Sequence, residues 1–175
     1  MIPPSALAQL HMDPDQPVPN QGDGAFLSDL PDGAIDAVVA LAGPAADTPL
    51  LSVEVRHLGG ALARPAPGGA QPSIDAKFLM FAGGFTPTPE LASAVRAHAR
   101  AVKDALAPWH ASYDYYNFEE TPAAASAVLP PASYRRLQKI KASYDPGQVI
   151  ISAHPVWPSR GNTRRNDSQR NEVEQ

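Results

Sequence analysis

The chain contains no cysteine. That absence rules out disulfides, thiolate nucleophiles, cysteinyl metal sites and cysteine-linked cofactors within it. Positive charge is also scarce and scattered: 14 Lys and Arg face 18 Asp and Glu, the net charge is −4, and no Lys/Arg run precedes Arg160. With a pI of about 5.7, the chain carries no electrostatic footprint for nucleic acid or an anionic membrane. No apolar stretch approaches the roughly 20 residues of a membrane span. Met1-Ile2-Pro3-Pro4 has neither the basic start nor the apolar core of a signal peptide. The expectation is a soluble, cytoplasmic protein with no nucleic-acid and no membrane partner. Also missing are a Gly-x-Gly-x-x-Gly loop, a phosphate loop and a Gly-x-Ser-x-Gly elbow, so neither a nucleotide nor a nucleophilic serine has local support. The five histidines, His11, His57, His98, His110 and His154, do not pair at metal-ligand spacing, and no metal site is expected.

Proline is abundant. Twenty prolines in 175 residues is about double the usual share of roughly 5%, and they stand at element boundaries as punctuation. A hydrophobic fraction of 43% over this length is enough for one core, hence one domain.

Residues 1–27 hold Pro3, Pro4, Pro14, Pro17 and Pro19 with Gly22 and Gly24, which predicts an extended arm. From 28 to 111 the pattern is that of an α+β unit. Ser28 or Asp29 can cap a helix over 31–42, with Pro31 in its first turn and Gly43-Pro44 as its stop. Leu51, Val53 and Val55 alternate with Ser52, Glu54 and Arg56, a strand with one packing face and one polar face. Gly59 and Gly60 then mark a bulge or a close backbone approach. Lys77–Gly84 is apolar without alternation, as in a central strand covered on both sides. Thr88 caps a helix that Pro89 opens, with Leu91, Val95, Ala99, Val102 and Leu106 in one stripe. The spacing predicts strands over 50–62, 76–84 and 112–119 in one antiparallel or mixed sheet, with helices 31–42 and 89–107 packed on the same face. A last helix opens at Pro131 with Tyr134, Leu137 and Ile140 inward, Val149-Ile150-Ile151 is an anchor segment, and 157–175 reads as a disordered tail.

Tyr113-Asp114-Tyr115-Tyr116-Asn117-Phe118 is the chemically unusual stretch. Read as a strand, it puts Tyr113, Tyr115 and Asn117 on one face, where two phenols and a carboxamide could bind a ligand or move a proton. The same residues equally suit a half-buried edge strand whose hydroxyls reach water. Glu54 and Arg56, two apart on the polar face of one strand, could hold a polar substrate or pair with each other.

Tyr115-Tyr116-Asn117-Phe118, Tyr134, Arg136-Leu137, Ile140-Lys141, Tyr144-Asp145-Pro146 and Val149-Ile150 resemble the C-terminal segment of the berberine-bridge-enzyme-like FAD-linked oxidases. In that family a Tyr-x-Asn-Tyr/Phe strand precedes an Arg-Leu-x-x-(Ile/Val)-Lys-x-x-Tyr-Asp-Pro helix and turn. Ser52 through Leu62 is similar to the substrate-domain strand of bacterial members, and the likeness spans roughly residues 5–156. It divides the chain into the arm 1–27, a substrate-binding part 28–111, a berberine-like segment 112–156 and the tail 157–175.

The resemblance implies a sheet that roofs a flavin ring, with Tyr115 facing it and serving in some members as proton acceptor, and Asn117 beside it; Glu54 and Arg56 are the expected substrate-binding residues from their shared polar strand face. The cofactor implied is FAD. Neither the Gly-rich pyrophosphate loop nor the His and Cys attachment points of the family's FAD-binding domain are found in this sequence, and Leu129-Pro130-Pro131 replaces the aromatic-Gly step before the last helix. The expectation is the substrate-binding and C-terminal portion of an FAD-dependent oxidoreductase acting on a small organic substrate, truncated or completed by a separately encoded FAD-binding domain. The alternative is a non-catalytic α+β ligand-binding or interaction module that has lost the cofactor.

Overall fold

A computed structural model describes residues 3–9, 16–121 and 123–158; of the expected disordered tail, only Trp157 and Pro158 lie within these. Three strands, β1 (Asn20–Leu27), β2 (Ser52–His57) and β3 (Phe78–Phe85), form one antiparallel sheet in the order β1-β3-β2. The unalternating run is the central strand, as expected: β3 has neighbours on both sides, and Leu79, Met80, Ala82, Gly83 and Gly84 are buried.

Helices α1 (Asp32–Ala42) and α2 (Pro89–Ala105) lie on the same face of this sheet, which establishes the α+β class. α2 starts where Thr88 Oγ1 accepts the Leu91 N–H at 3.3 Å and Pro89 pre-sets the first turn. Its Val95, Ala99 and Val102, with Leu106 just beyond, are fully buried. Ala25 and Leu27 of β1 and Met80 and Ala82 of β3 meet this helical layer, and α1 adds Ala34. Each of the larger side chains gains roughly 1.5–3 kcal/mol from leaving water. α1 opens without a side-chain cap: Ser28 Oγ instead donates to Trp109 O at 3.0 Å, and Asp29 pairs with Lys77 at 3.1 Å.

Residues 20–27, grouped by their glycines with the arm, are extended and belong to the sheet as β1. Their neighbour at 4–9 is a short 3₁₀ turn, Pro4–Gln9. The expected strand over 112–119 does not form. Its one ladder contact is a bridge between His110 and Leu27. The reason is visible at the outer edge of β1: Gly22 N–H donates to Glu120 Oε2, Gly24 N–H to Asp23 Oδ1, and Ser28 N–H to Trp109 O, each at 2.8 Å. Only Phe26 O, which accepts from Ala111 N–H at 2.8 Å, bonds to the main chain of the segment. Side chains and turns thus seal the edge that a fourth strand would have used. The outer side of β2 has no strand among the described residues, and Leu51 and Val55 are exposed beside it.

The glycines after β2 make no close approach. Gly59 and Gly60 have φ of +129° and +54° with nothing within 4 Å of a Cβ there, so their role is to turn the chain. Helix α3 (Pro131–Tyr144) packs Tyr134 and Leu137 on Ala125, Val128 and Leu129, whereas Ile140, expected inside, is 42% exposed. Val149-Ile150-Ile151 is not a strand. It is held by Asp145, whose carboxylate accepts the Val149 and Ile150 N–H groups at 2.7 and 3.1 Å, and by Lys141, which pairs with Asp145 and donates to Ile150 O at 2.7 Å. Lys141 first, then those two backbone donors working against desolvation, hold the Asp145 carboxyl below its usual range.

Candidate functional site around Tyr115

The sheet face away from the helices carries Phe26 of β1, Leu79 and Phe81 of β3, and Glu54 and Arg56 of β2; the register sets Arg56 and Phe26 on either side of Leu79. Residues 111–120 cover this face as an irregular segment. Tyr113 meets Phe26 edge to face at 5.7 Å, Tyr115 lies 5.3 Å from Phe26, and Phe118 sits 4.8 Å from Phe81 and 5.2 Å from Tyr115. Such an approach needs a bare backbone beneath it. A Cβ on Gly24 would come within 2.9 Å of Phe118 Cβ, and one on Gly22 within 2.4 Å of the Phe81 ring.

Asn117 Nδ2 donates to the Tyr115 hydroxyl oxygen at 3.3 Å, so the two residues picked out by the motif share one hydrogen bond. Arg56 and Glu54 form a two-pronged ion pair at 2.6 and 2.8 Å, with the Arg56 Cζ 5.3 Å from the Phe118 ring centroid. The Glu54 carboxylate raises Arg56 above the ordinary guanidinium range, burial opposes this, and Tyr115 adds a smaller push upward. The pair therefore flanks Tyr115, outside the cleft described next.

A cleft of about 470 Å³ opens on the far side of the segment. Tyr115, Tyr116 and Asn117 form one wall, Leu129, Leu137 and Val156 the other, and Gln71, Ser152 and His154 add polar groups. The Tyr116 ring stands edge-on to His154 at 4.7 Å. His154 Nδ1 lies 3.3 Å from Ala123 O. A carbonyl can only accept, so in the neutral ring the proton sits on Nδ1 and Nε2 is the acceptor. The cleft thus combines apolar walls with a phenol, a carboxamide and an imidazole, a set able to hold an uncharged molecule and move a proton.

Sequence reasoning missed Tyr116, His154 and Lys103. Tyr116 was placed on the opposite strand face, and His154 had no motif around it. Lys103 carried a signal: it falls four residues after Ala99, on the buried side of α2. Its ammonium pairs with Asp23 at 3.0 Å, Asp114 at 3.1 Å and Glu119 at 2.6 Å. Burial works against this charge, but Glu119, Asp23 and Asp114 outweigh it and hold Lys103 above the ordinary lysine range.

Among the described residues no cluster of three or more His, Cys, Asp or Glu could hold a metal ion, and no helix is long and apolar enough to cross a membrane. Tyr115 and Asn117 line the cleft, but the described residues form no site for FAD: among the described helices Pro31 and Pro130 precede α1 and α3, and the α2 start is capped by Thr88.

The fold is an α+β layer whose sheet has helices on one face and an aromatic segment on the other. Solved structures share this fold. BBE-like 1 from Physcomitrella patens, wild type, and an Asp-to-Asn variant of it each superpose with a TM-score of 0.69 at 15% sequence identity, covering 87% of this chain and 33% of their own. The chain thus spans a third of the length of these structures, and at that identity the likeness is one of fold. No family model and no curated protein matches the sequence.

Proposed function

We propose that the chain is the sheet-bearing and C-terminal portion of a berberine-bridge-enzyme-like, FAD-linked oxidoreductase acting on a small organic substrate. In this reading Tyr115 is the catalytic proton acceptor, Asn117 lies against the flavin, and Glu54 and Arg56, proposed from the sequence as substrate-binding, stand beside Tyr115 outside the cleft and act on the substrate only through it. The observation that carries it is the Asn117–Tyr115 hydrogen bond at the wall of the cleft, on a fold shared with BBE-like structures.

The flavin, when bound, would supply the two-electron acceptor. The chain's own residues do the rest. Asn117 donates to the Tyr115 oxygen, and that oxygen can take a proton from the substrate only after giving up its own phenolic proton, the phenolate then accepting both the Asn117 bond and the substrate proton. Leu129, Leu137 and Val156 give the substrate an apolar wall to pack against in an open cleft. Arg56, held flat by Glu54 and set over Phe118, keeps a fixed positive charge near the phenol without entering the cleft.

The test is to combine the chain with an FAD-binding domain of the same fold family and follow flavin absorbance. Tyr115→Phe is expected to slow flavin reduction about 10²–10⁴-fold. Reduction within about threefold of the parent would remove Tyr115 from the mechanism. Stoichiometric FAD on the isolated chain would overturn the view that a second domain completes the site. The rival, a cofactor-free binding module, draws support from the Glu54–Arg56 ion pair, in which two polar side chains of the strand bind each other.

A further inference from the structure

Asp114 and Glu119 bracket Tyr115–Phe118, and both side chains end on the same ammonium. The main chain between them contributes little to holding this stretch on the sheet. Asp114 N–H donates to Ala127 O and Phe118 N–H to Tyr115 O, neither of which belongs to a strand. Ring packing on Phe26 and Phe81 holds the stretch down, and at its two ends Ala111 N–H donates to Phe26 O and Glu120 Oε2 accepts from Gly22 N–H of β1. Within the stretch, direction comes from Lys103 Nζ, which makes charge-assisted hydrogen bonds to Asp23 and Glu119 and an ion pair with Asp114. That lysine is itself anchored: it lies in the last turn of α2, and its carbonyl oxygen is 3.1 Å from His110 Nε2.

We propose that Lys103 is a positioning residue for Tyr115 and Asn117: it clasps the stretch between Asp114 and Glu119 onto β1 through Asp23, and without it the stretch leaves the sheet while the sheet persists. The charge count gives the direction. One cation faces three carboxylates whose side chains are 6%, 22% and 8% exposed. Taking the cation away leaves three anions in a place that disfavours each of them. Asp23 is fixed in a strand, so Asp114 and Glu119 are the ones to move outward into water, carrying Tyr115 and Asn117 with them. The role of this clasp in catalysis rests on the reading of Tyr115 given above. The clasp itself does not.

Hydrogen exchange on the full chain, without flavin or substrate, tests it. In Lys103→Met the amides of 113–120 are expected to exchange on the order of 10²–10³-fold faster, well ahead of the amides of 79–82 in β3. The milder double variant Asp114→Asn with Glu119→Gln keeps the Asp23–Lys103 pair, and in it the same amides are expected to exchange about tenfold faster with 79–82 unchanged. If Lys103→Met does not fold, the double variant decides alone. Exchange in 113–120 that is unchanged, or that rises only in step with 79–82, overturns the clasp. Because no flavin takes part, that result leaves the reading of Tyr115 standing, and a fully active Tyr115→Phe enzyme would leave the clasp standing.

Discussion

Gly24→Ala probes the approach of Phe118 to the sheet beneath the site. The added methyl would lie 2.9 Å from Phe118 Cβ, 3.0 Å from Met80 O and 3.3 Å from Phe118 O. Met80 is in the central strand, paired on both sides, so the oxygen it presents cannot retreat. Phe118 must. Gly24 does not have a positive φ, so alanine meets no backbone strain there and even gains about 0.4–1 kcal/mol by restricting the unfolded chain. Overpacking works the other way, at about 1–3 kcal/mol, and contacts made by backbone and Cβ atoms belong in the upper part of that range. The net loss is about 1–2 kcal/mol. For a domain of this size that lowers Tm by roughly 2–8 °C. Thermal unfolding followed by far-UV circular dichroism measures it, and the tyrosine signal in the near UV should change at 25 °C as Phe118 shifts Tyr115. A Tm equal to or above the parent's would show that Phe118 does not press on the sheet, and the account of the site's floor would fail.

Other outcomes follow from the same contacts. Phe26→Ala, emptying a fully buried position under two tyrosines, is expected to cost about 3–5 kcal/mol in urea unfolding with an unchanged m-value. Thr88→Ala removes the cap of α2 and should cost about 1 kcal/mol in the same assay; no measurable loss would mean the Leu91 bond is not made in solution. The folded Asp145 carboxyl lies below its ordinary value of 3.8, so its contribution is fully present above that pH and is lost as pH falls through the folded value. Protection of the Val149 and Ile150 amides should therefore decay on acidification below about pH 4, and Asp145→Asn should flatten that dependence.

Elements with a clean period were legible in the sequence. The 3.6-residue stripe of Val95, Ala99 and Val102 describes a face that the tertiary structure does use, whereas of the alternating Leu51, Val53 and Val55 only Val53 packs on the core and the other two are exposed. β1 was hidden because Gly22 and Gly24 look like breakers; they are there for the sake of Phe81 and Phe118, more than fifty residues away, and no local rule sees that distance. The tyrosine stretch misled in the opposite sense. Its residues favour strands, but the edge it would have joined is occupied by the carboxylates of Asp23 and Glu120. Tyr115 and Asn117 could be named by a motif, since motif residues are local. Tyr116 with His154, and Lys103 with Asp114, are pairs formed by the fold and carry no short-range spacing.

The segment that covers the sheet is also what closes the sheet's edge at β1. Ala111, Trp109 and Glu120 satisfy outward-facing groups of Phe26, Ser28 and Gly22. Were the segment to lift, Gly22 N–H, Phe26 O and Ser28 N–H of the β1 side would lose their partners, while among the described residues no strand pairs with β2 on the other side. A three-stranded sheet open at both ends is a template for stacking copies edge to edge. Substitutions that loosen Tyr115 should therefore reveal themselves first as turbidity and insoluble protein at high concentration, and added salt, by screening the ion pairs at Lys103 wherever water reaches them, should push in the same direction.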